Sequence, residues 1–140
     1  TITRLQNMGT PDYLISAACT LVLAQRLARK TCEDCRVPDE DVNPDVLKQL
    51  GFTSEQSIRA KVSRGKGCAK CKDSGYKGRM GVYEILNITK AIKEAILAKA
   101  TTPEIKKIAQ EEGFRTMQDM GREMILSGDL NFREFERVLS

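Results

Sequence analysis

A chain of 140 residues with 41% apolar residues has room for one ordinary domain or two small lobes, and for a modest core. Its 23 Lys and Arg against 19 Asp and Glu leave a small net charge of +4, and its complete lack of His removes the commonest general base and any mixed Cys/His zinc site. No apolar run approaches the roughly 20 residues that cross a bilayer, so the segment is expected to be soluble and to meet a membrane only through partners. The opening Thr1-Ile2-Thr3-Arg4-Leu5 has no initiator Met, charged leader or apolar signal region, and it reads as a segment cut from a longer protein.

Thr10-Pro11-Asp12 is a helix start, with Thr10 able to cap, Pro11 at the first helical position and Asp12 favoured by the helix dipole. Leu14, Ala17, Ala18, Leu21, Gln25 and Ala28 then fall at helical spacing, with Ile15, Cys19 and Val22 widening the stripe. The spacing predicts one helix that ends in the cations Arg26, Arg29 and Lys30 and runs directly into Cys32.

Cys32-Glu33-Asp34-Cys35 and Cys68-Ala69-Lys70-Cys71 are two hooks, each with two residues between its cysteines. One tight turn of that length aims both sulfurs at a single ion, and two hooks supply the four ligands of a closed tetrahedral zinc site. Disulfide or redox use is the competing reading, but a thioredoxin-like site needs a βαβ pattern beside the hook, which this sequence lacks. The fifth cysteine, Cys19, lies in an apolar stretch and reads as a small core residue.

Between the hooks, Asn43-Pro44-Asp45 opens a short helix through Val46, Leu47 and Leu50, stopped by Gly51. Residues 53–57 are polar and indistinct. Ile58, Ala60 and Val62 alternate with Arg59, Lys61 and Ser63 and predict a half-buried strand leading into the second hook. Beyond it, Gly75, Gly78 and Gly81 mark a turn-rich run, followed by a strand over Met80 to Leu86. These two strands are expected to form a small ribbon around the metal, which does much of the holding because some 50 residues bury too little apolar surface alone.

Four short amphipathic helices fill the last third. Thr89 caps the first, with Ile92, Ile96 and Leu97; Thr101-Thr102-Pro103-Glu104 opens the second, with Ile105, Ile108 and Ala109, closed by Gly113. Thr116 opens the third, with Met117, Met120, Met124 and Ile125, closed by Gly128, and Asn131 to Glu134 form a capping box before Phe135, Val138 and Leu139. A compact bundle is expected, its Met stripe filling the core or forming a partner groove. The fold class is α+β, mainly helical: a Cys₄ zinc subdomain with a short β-ribbon, followed by a bundle of short helices.

The basic residues are unevenly placed. Arg59, Lys61, Arg64, Lys66, Lys70, Lys72, Lys77 and Arg79 face one acid, Asp73, which raises a nucleic-acid-binding zinc ribbon as the alternative function. Against it, Lys30, Arg36, Lys66, Lys70 and Lys72 flank the ligands, where they balance a zinc–thiolate cluster that lowers the net charge to about +2, and Tyr76 alone offers a stacking ring. Catalytic signatures are missing: Gly65-Lys66-Gly67 is too short for a phosphate loop, and no nucleophile elbow or carboxylate pair stands out. Glu33-Asp34 belongs to the first hook and Asp39-Glu40-Asp41 reads as a solvated loop, so the segment alone is not expected to catalyse a reaction.

Taken together, Arg4-Leu5, Met8-Gly9, Ala24-Gln25-Arg26-Leu27-Ala28-Arg29-Lys30, both cysteine hooks and Ser74-Gly75-Tyr76-Lys77-Gly78-Arg79-Met80-Gly81-Val82-Tyr83-Glu84 closely resemble the C-terminal part of bacterial secretion ATPases. These are the PulE/GspE motors of type II secretion and the PilB motors of type IV pilus extension. The resemblance covers nearly the whole chain, including Gly113-Phe114 and Thr116-Met117, and Tyr76-Lys77-Gly78 tilts it toward the pilus branch. It implies a terminal helix of an ATPase core at 1–30, a tetracysteine zinc-binding subdomain at 31–88 and a C-terminal helical subdomain at 89–140. It implies structural Zn²⁺ on Cys32, Cys35, Cys68 and Cys71, no catalytic or nucleotide-binding residue in this chain, and ATP with Mg²⁺ in the parent protein only. Further expectations are a cytoplasmic hexamer on the inner membrane, contacts with its own ATPase core, neighbouring subunits and an inner-membrane platform protein, and no nucleic acid. Gly75, Gly78 and Gly81 become turn and close-packing positions, and Tyr83 and Glu84 pack and pair nearby. Arg26, Arg29 and Arg79 either pair with carboxylates and water or face phosphate or a neighbouring subunit.

Overall fold

Apolar residues fall into two separate sets, and each set gathers a unit of its own. The computed structural model describes residues 1–60 and 62–139. In chain order the helices and strands are α1 (Ile2–Asn7), α2 (Asp12–Ala18), β1 (Leu21–Thr31), β2 (Arg36–Pro38), α3 (Pro44–Gln49), α4 (Ser54–Arg59), β3 (Ser63–Gly65), β4 (Tyr76–Asn87), α5 (Lys90–Leu97), α6 (Thr102–Glu111), α7 (Met117–Leu126) and α8 (Phe132–Leu139). The fold is α+β, with two small sheets, β1 with β4 and β2 with β3.

Unit 1 comprises Thr1–Ala24 and Glu84–Thr116. Ile2, Ile15, Ile88, Ile92, Ala95, Ile96, Ile105 and Ala109 form its core, with Cys19 and Val22 packed on it. Helix α2 rests on α5, and α5 on α6. The expected caps form: Thr89 accepts from the Ile92 amide, and Thr101 and Glu104 close a capping box.

Unit 2 comprises Gln25–Tyr83 and Met117–Ser140. Its core joins Ala28, Leu47, Phe52, Val62 and Val82 to Ile125, Leu130, Phe135, Val138 and Leu139. Met117, Met120 and Met124 pack against that core, so the Met stripe is filling. The four C-terminal helices, expected as one bundle, are shared out in pairs: α5 and α6 to unit 1, α7 and α8 to unit 2.

The long helix expected over residues 10–30 does not form. Helix α2 starts at Asp12, with Pro11 in the cap position, and ends at Ala18; Cys19 turns extended, and residues 21–31 are strand β1. Ala24 to Lys30 has good helix propensity, but propensity is a weak prior and pairing with the Val- and Ile-bearing β4 overrides it. The Ile88 amide donates to the Thr20 carbonyl at one end and the Cys32 amide to that of Gly75 at the other, so the two strands run antiparallel.

The strand expected over 58–62 is also displaced. Thr53 and Gln56 make a reciprocal capping box that starts α4, which runs to Arg59, and the strand begins only at Ser63; Lys61 lies outside the described residues. Strand β4 is longer than expected because the ladder continues through Gly78 and Gly81 back to Tyr76.

Candidate metal centre

The cysteine hooks are brought together by the small sheet between them. Each hook is a single 3-10 turn, Glu33–Cys35 in the first and Ala69–Cys71 in the second. The first leads into β2 and the second follows β3; these strands pair antiparallel with Arg36 opposite Gly65. One further bond, from the Lys66 amide to the Cys35 carbonyl, carries the ladder up to the sulfurs.

Cys32, Cys35, Cys68 and Cys71 place their four Sγ atoms within 4.8 Å of one another. Cys32 and Cys68 are 4.0 Å apart, Cys35 and Cys71 3.9 Å, and Cys68 and Cys71 3.7 Å. Four sulfurs about 2.3 Å from one zinc ion stand about 3.8 Å apart, so the cage fits a tetrahedral cation of that size. A disulfide needs sulfurs about 2.05 Å apart, and all five cysteines are free thiols. Cys19 stays apart from the cluster, half-buried in unit 1.

Backbone amides point at the cage as they do around bound thiolates. Gly67 donates to Cys35 Sγ at 3.3 Å; Cys68 and Gly75 donate to Cys71 Sγ at 3.2 and 3.3 Å. Burial pushes the Cys71 thiol up, but its two amide donors outweigh that and bring it down to about 6; burial pushes Cys35, with one amide donor, up to about 12. The two amides on Cys71 favour negative charge on that sulfur, the form in which a thiol ligates a metal.

Gly75 ties the hooks together. Its amide donates to Cys71 of the second hook, while its carbonyl accepts the amide of Cys32 in the first. Its φ of +74 makes both possible.

Three cations of the basic run, Arg64, Lys70 and Lys77, reach local acids. Lys70 and Lys77 both reach Asp34 in the first hook, and the Lys70 bond holds the Asp34 carboxyl below its ordinary value. Lys30 pairs with Glu33 at 2.7 Å, and Arg64 with Asp41 at 3.3 Å and Asp39 at 3.9 Å. Asp39 corrects the expectation of a solvated loop: it is 7% exposed, its amide bonded to the Val62 carbonyl, whereas Glu40 and Asp41 are exposed.

A second polar cluster went unread in the sequence. Glu134 on α8, 0% exposed, accepts the Arg29 amide at 2.8 Å and the Arg29 guanidinium at 2.7 and 3.0 Å, together with both Nε and Nη2 of Arg137. Burial pushes the Glu134 carboxyl up, but the two guanidiniums and the amide prevail and hold it near 2. Arg29 lies 4.1 Å over the Tyr76 ring, whose hydroxyl accepts from Asn131 at 3.0 Å. The expected capping box of α8 is therefore half made: Asn131 accepts the Glu134 amide, but the Glu134 carboxylate serves Arg29 and Arg137. Of the three arginines singled out, Arg29 is carboxylate-paired, Arg26 donates to the Val138 carbonyl, and Arg79 is exposed.

A four-sulfur cage on two Cys-x-x-Cys turns is a group that could hold one metal ion, and four ligands from the chain are the donor set of a structural site. Comparison with known proteins extends this. The model of the Type II/IV secretion system protein family matches residues 1–137, and the chain belongs to that family. It is 38% identical over 133 residues to the type IV pilus assembly ATPase PilB of Thermus thermophilus, covering 95% of this chain and 15% of that protein. It is 36% identical to PilB of Pseudomonas aeruginosa, over 99% of this chain and 24% of the relative. Type II secretion system protein E of Aeromonas hydrophila is 33% identical, over 98% and 26%. The chain thus spans about a quarter or less of these relatives, which come from both the pilus and the secretion branches. Among the described residues, no helix is long and apolar enough to cross a membrane.

Proposed function

We propose that this chain is the zinc-holding and helical segment of a hexameric ATPase that powers type IV pilus assembly or type II protein secretion. Its role is structural and coupling, without catalysis of its own. The observation that carries this is the four-sulfur cage in a chain of this family. Cys32, Cys35, Cys68 and Cys71 hold Zn²⁺, and the ion supplies a cross-link between two turns 36 residues apart. ATP and Mg²⁺ belong to the parent protein, because this sequence has no phosphate loop.

In unit 1, Val22 and Leu86 pack on the core, so Leu21, Leu23 and Ile85, one residue away on alternating strands, face outward. They are 51%, 51% and 47% exposed, an apolar face of the kind that a larger assembly covers. We place the parent's own ATPase core on it, since about three quarters of the length of the relatives lies outside this chain. Neighbouring subunits and an inner-membrane platform protein complete the machine, on the cytoplasmic side.

We favour this over the nucleic-acid reading: Lys70, Lys77 and Arg64 are ion-paired and the Tyr76 ring lies under Arg29, which supports local charge compensation. Metal analysis of the freshly purified chain tests the proposal: one zinc per chain is expected, and well under one equivalent counts against it. ATP turnover should not exceed that of a no-protein control. Salt-dependent DNA or RNA binding, lost when Lys66, Lys70 and Lys72 are neutralised, would favour the alternative.

A further inference from the structure

Beside the cage, unit 2 holds a cavity of about 700 Å³, within the size range of ligand sites, between β2, the start of β3 and the turn after α7. Its walls are chiefly aliphatic, with Val42, Val62 and Leu126 among them, and two charged side chains, Arg36 and Asp39, stand at it. Each leaves one buried polar atom without a hydrogen bond. Arg36 spends its Nη atoms on the Ser127 carbonyl at 3.5 Å and on Asp129 at 3.8 Å, but its Nε has no acceptor. The Asp39 side chain, 4% exposed, has Arg64 3.9 Å away to balance its charge, but its Oδ1 has no donor. Folded proteins seldom bury a donor or an acceptor unpaired, because nothing then offsets its desolvation.

The same cavity reaches a free strand edge. Arg36, Val37, Pro38 and Asp39 all line it, although successive side chains of a strand point to opposite faces. Among the described residues the sheet has two strands, so the outer edge of β2 pairs with no further one. Ladder bonds fall at Cys35, whose carbonyl accepts the Lys66 amide, and at Asp39, whose amide donates to the Val62 carbonyl. With Arg36 opposite Gly65 and Pro38 opposite Ser63, alternation turns the Arg36 N–H and C=O and the Pro38 C=O away from β3.

We infer that this edge and cavity bind an extended peptide segment of a partner protein, aliphatic in its side chains and without net charge. Its main chain adds to β2 at Arg36 and Pro38, and one side chain enters among Val42, Val62 and Leu126. Every peptide residue carries the carbonyl that Arg36 Nε lacks and the N–H that Asp39 Oδ1 lacks. A turn of either side chain about its outer bonds presents that atom to the cavity. Asp39 repels an anionic ligand, and a nucleotide base finds no aromatic ring among the lining residues. The site lies outside the four sulfurs and goes beyond the metal proposal.

The experiment titrates the isotope-labelled chain with the capped peptide acetyl-Thr-Val-Thr-Val-Thr-Val-amide and follows the assigned amide signals by NMR. The fully N-methylated peptide, which keeps the side chains and loses every N–H, and inorganic phosphate are titrated in parallel, and zinc is measured on the same sample. Expected are saturable shifts at Arg36, Val37, Asp39 and Val62, slowed amide exchange at Arg36, and affinity at least about tenfold weaker for the N-methylated peptide. Phosphate should shift none of these signals. Ala60→Trp, which fills the cavity from its half-buried rim, should abolish the shifts and keep the zinc. No shifts at millimolar peptide, equal affinity for the N-methylated form, or phosphate shifts at Arg36 would overturn the inference. So would the same shifts on concentrating the chain without peptide, which assign the edge to a second copy. Binding that is lost in the full-length parent overturns it too, by assigning the edge to the parent's own residues. A chain that carries one zinc but leaves the peptide free counts against this inference alone; one that binds the peptide with well under one zinc counts against the metal proposal alone.

Discussion

Gly65 and Gly75 cross with their backbones in contact. A Cβ on Gly65 would lie 2.0 Å from the Gly75 carbonyl oxygen, and one on Gly75 2.5 Å from that of Gly65. Gly65 ends β3, opposite Arg36, and Gly75 serves both cysteine hooks, so this crossing sets the distance between the two turns that carry the sulfurs. Neither neighbour can yield cheaply, because each clash is with backbone. Gly75→Ala and Gly65→Ala are therefore expected to cost more than about 2 kcal/mol of stability, chiefly through backbone displacement. They should also weaken metal binding by roughly 10- to 100-fold, as the loss of outer-shell support does. Chelator competition and denaturant unfolding measure both quantities; wild-type values for either variant would show that the crossing does not position the hooks.

The buried carboxylate of Glu134 makes stability depend on acid. Its folded-state value, near 2, lies below the ordinary 4.5, so the unfolded chain takes up this proton first. The contribution is fully present above about pH 4.5 and is lost as pH falls toward 2. Arg29 and Arg137 are half exposed, which screens the pairs and leaves roughly 2 kcal/mol at neutral pH. Glu134→Gln should be destabilised by about that amount at pH 7, and its deficit against the wild type should shrink on acidification from pH 4.5 to 2. Comparing the two proteins cancels acid release of zinc, which affects both. A deficit independent of pH would mean that Glu134 acts through packing alone.

The hooks were legible because their chemistry is written in adjacent residues: Cys32 and Cys35, or Cys68 and Cys71, need only one turn to converge. Local caps were equally open to reading, as at Asn43, Thr89 and Thr101, where a short-range bond decides where the helix begins. What failed was decided at long range. Ala24 to Lys30 is a strand because β4, more than forty residues later, pairs with it, and helical spacing built on Ala and Gln25 carries little information against that. The sequence places Glu134 at the third position of its own helix, where it suits a cap, yet its carboxylate binds Arg29, 105 residues away, and Arg137. Thr53 and Gln56 were a missed local signal: the capping pair was present, but without an apolar stripe behind it.

Metal removal should act unevenly. The sulfurs, the β2–β3 ladder and the Gly75 bonds all lie in unit 2, whereas α5 and α6 pack on the core of unit 1. Chelation is expected to lower amide-exchange protection at Cys35, Gly67 and Gly75 by about tenfold or more, while Ile96 and Ala109 keep theirs. Hydrogen exchange before and after a chelator reads this residue by residue. Equal loss in α5 and α6 would mean that the ion supports the whole chain and not the hooks alone.

The outward face of Leu21, Leu23 and Ile85 separates folding from assembly. These side chains are about half exposed and contribute little to the core of unit 1, so Leu23→Ser with Ile85→Ser should change the stability of the isolated chain by less than about 1 kcal/mol. In the full-length parent the same pair of substitutions introduces hydroxyls where an apolar surface is expected to be covered, and an interface loses more from this than a solvated face does. The expected outcome is a parent protein that folds, keeps its zinc and elutes as smaller assemblies, with reduced ATP turnover. Size-exclusion chromatography with light scattering distinguishes the cases. Wild-type assembly and turnover in the double variant would show that Leu23 and Ile85 face solvent in the complete machine, and the contact with the ATPase core would have to be sought on another surface of this chain.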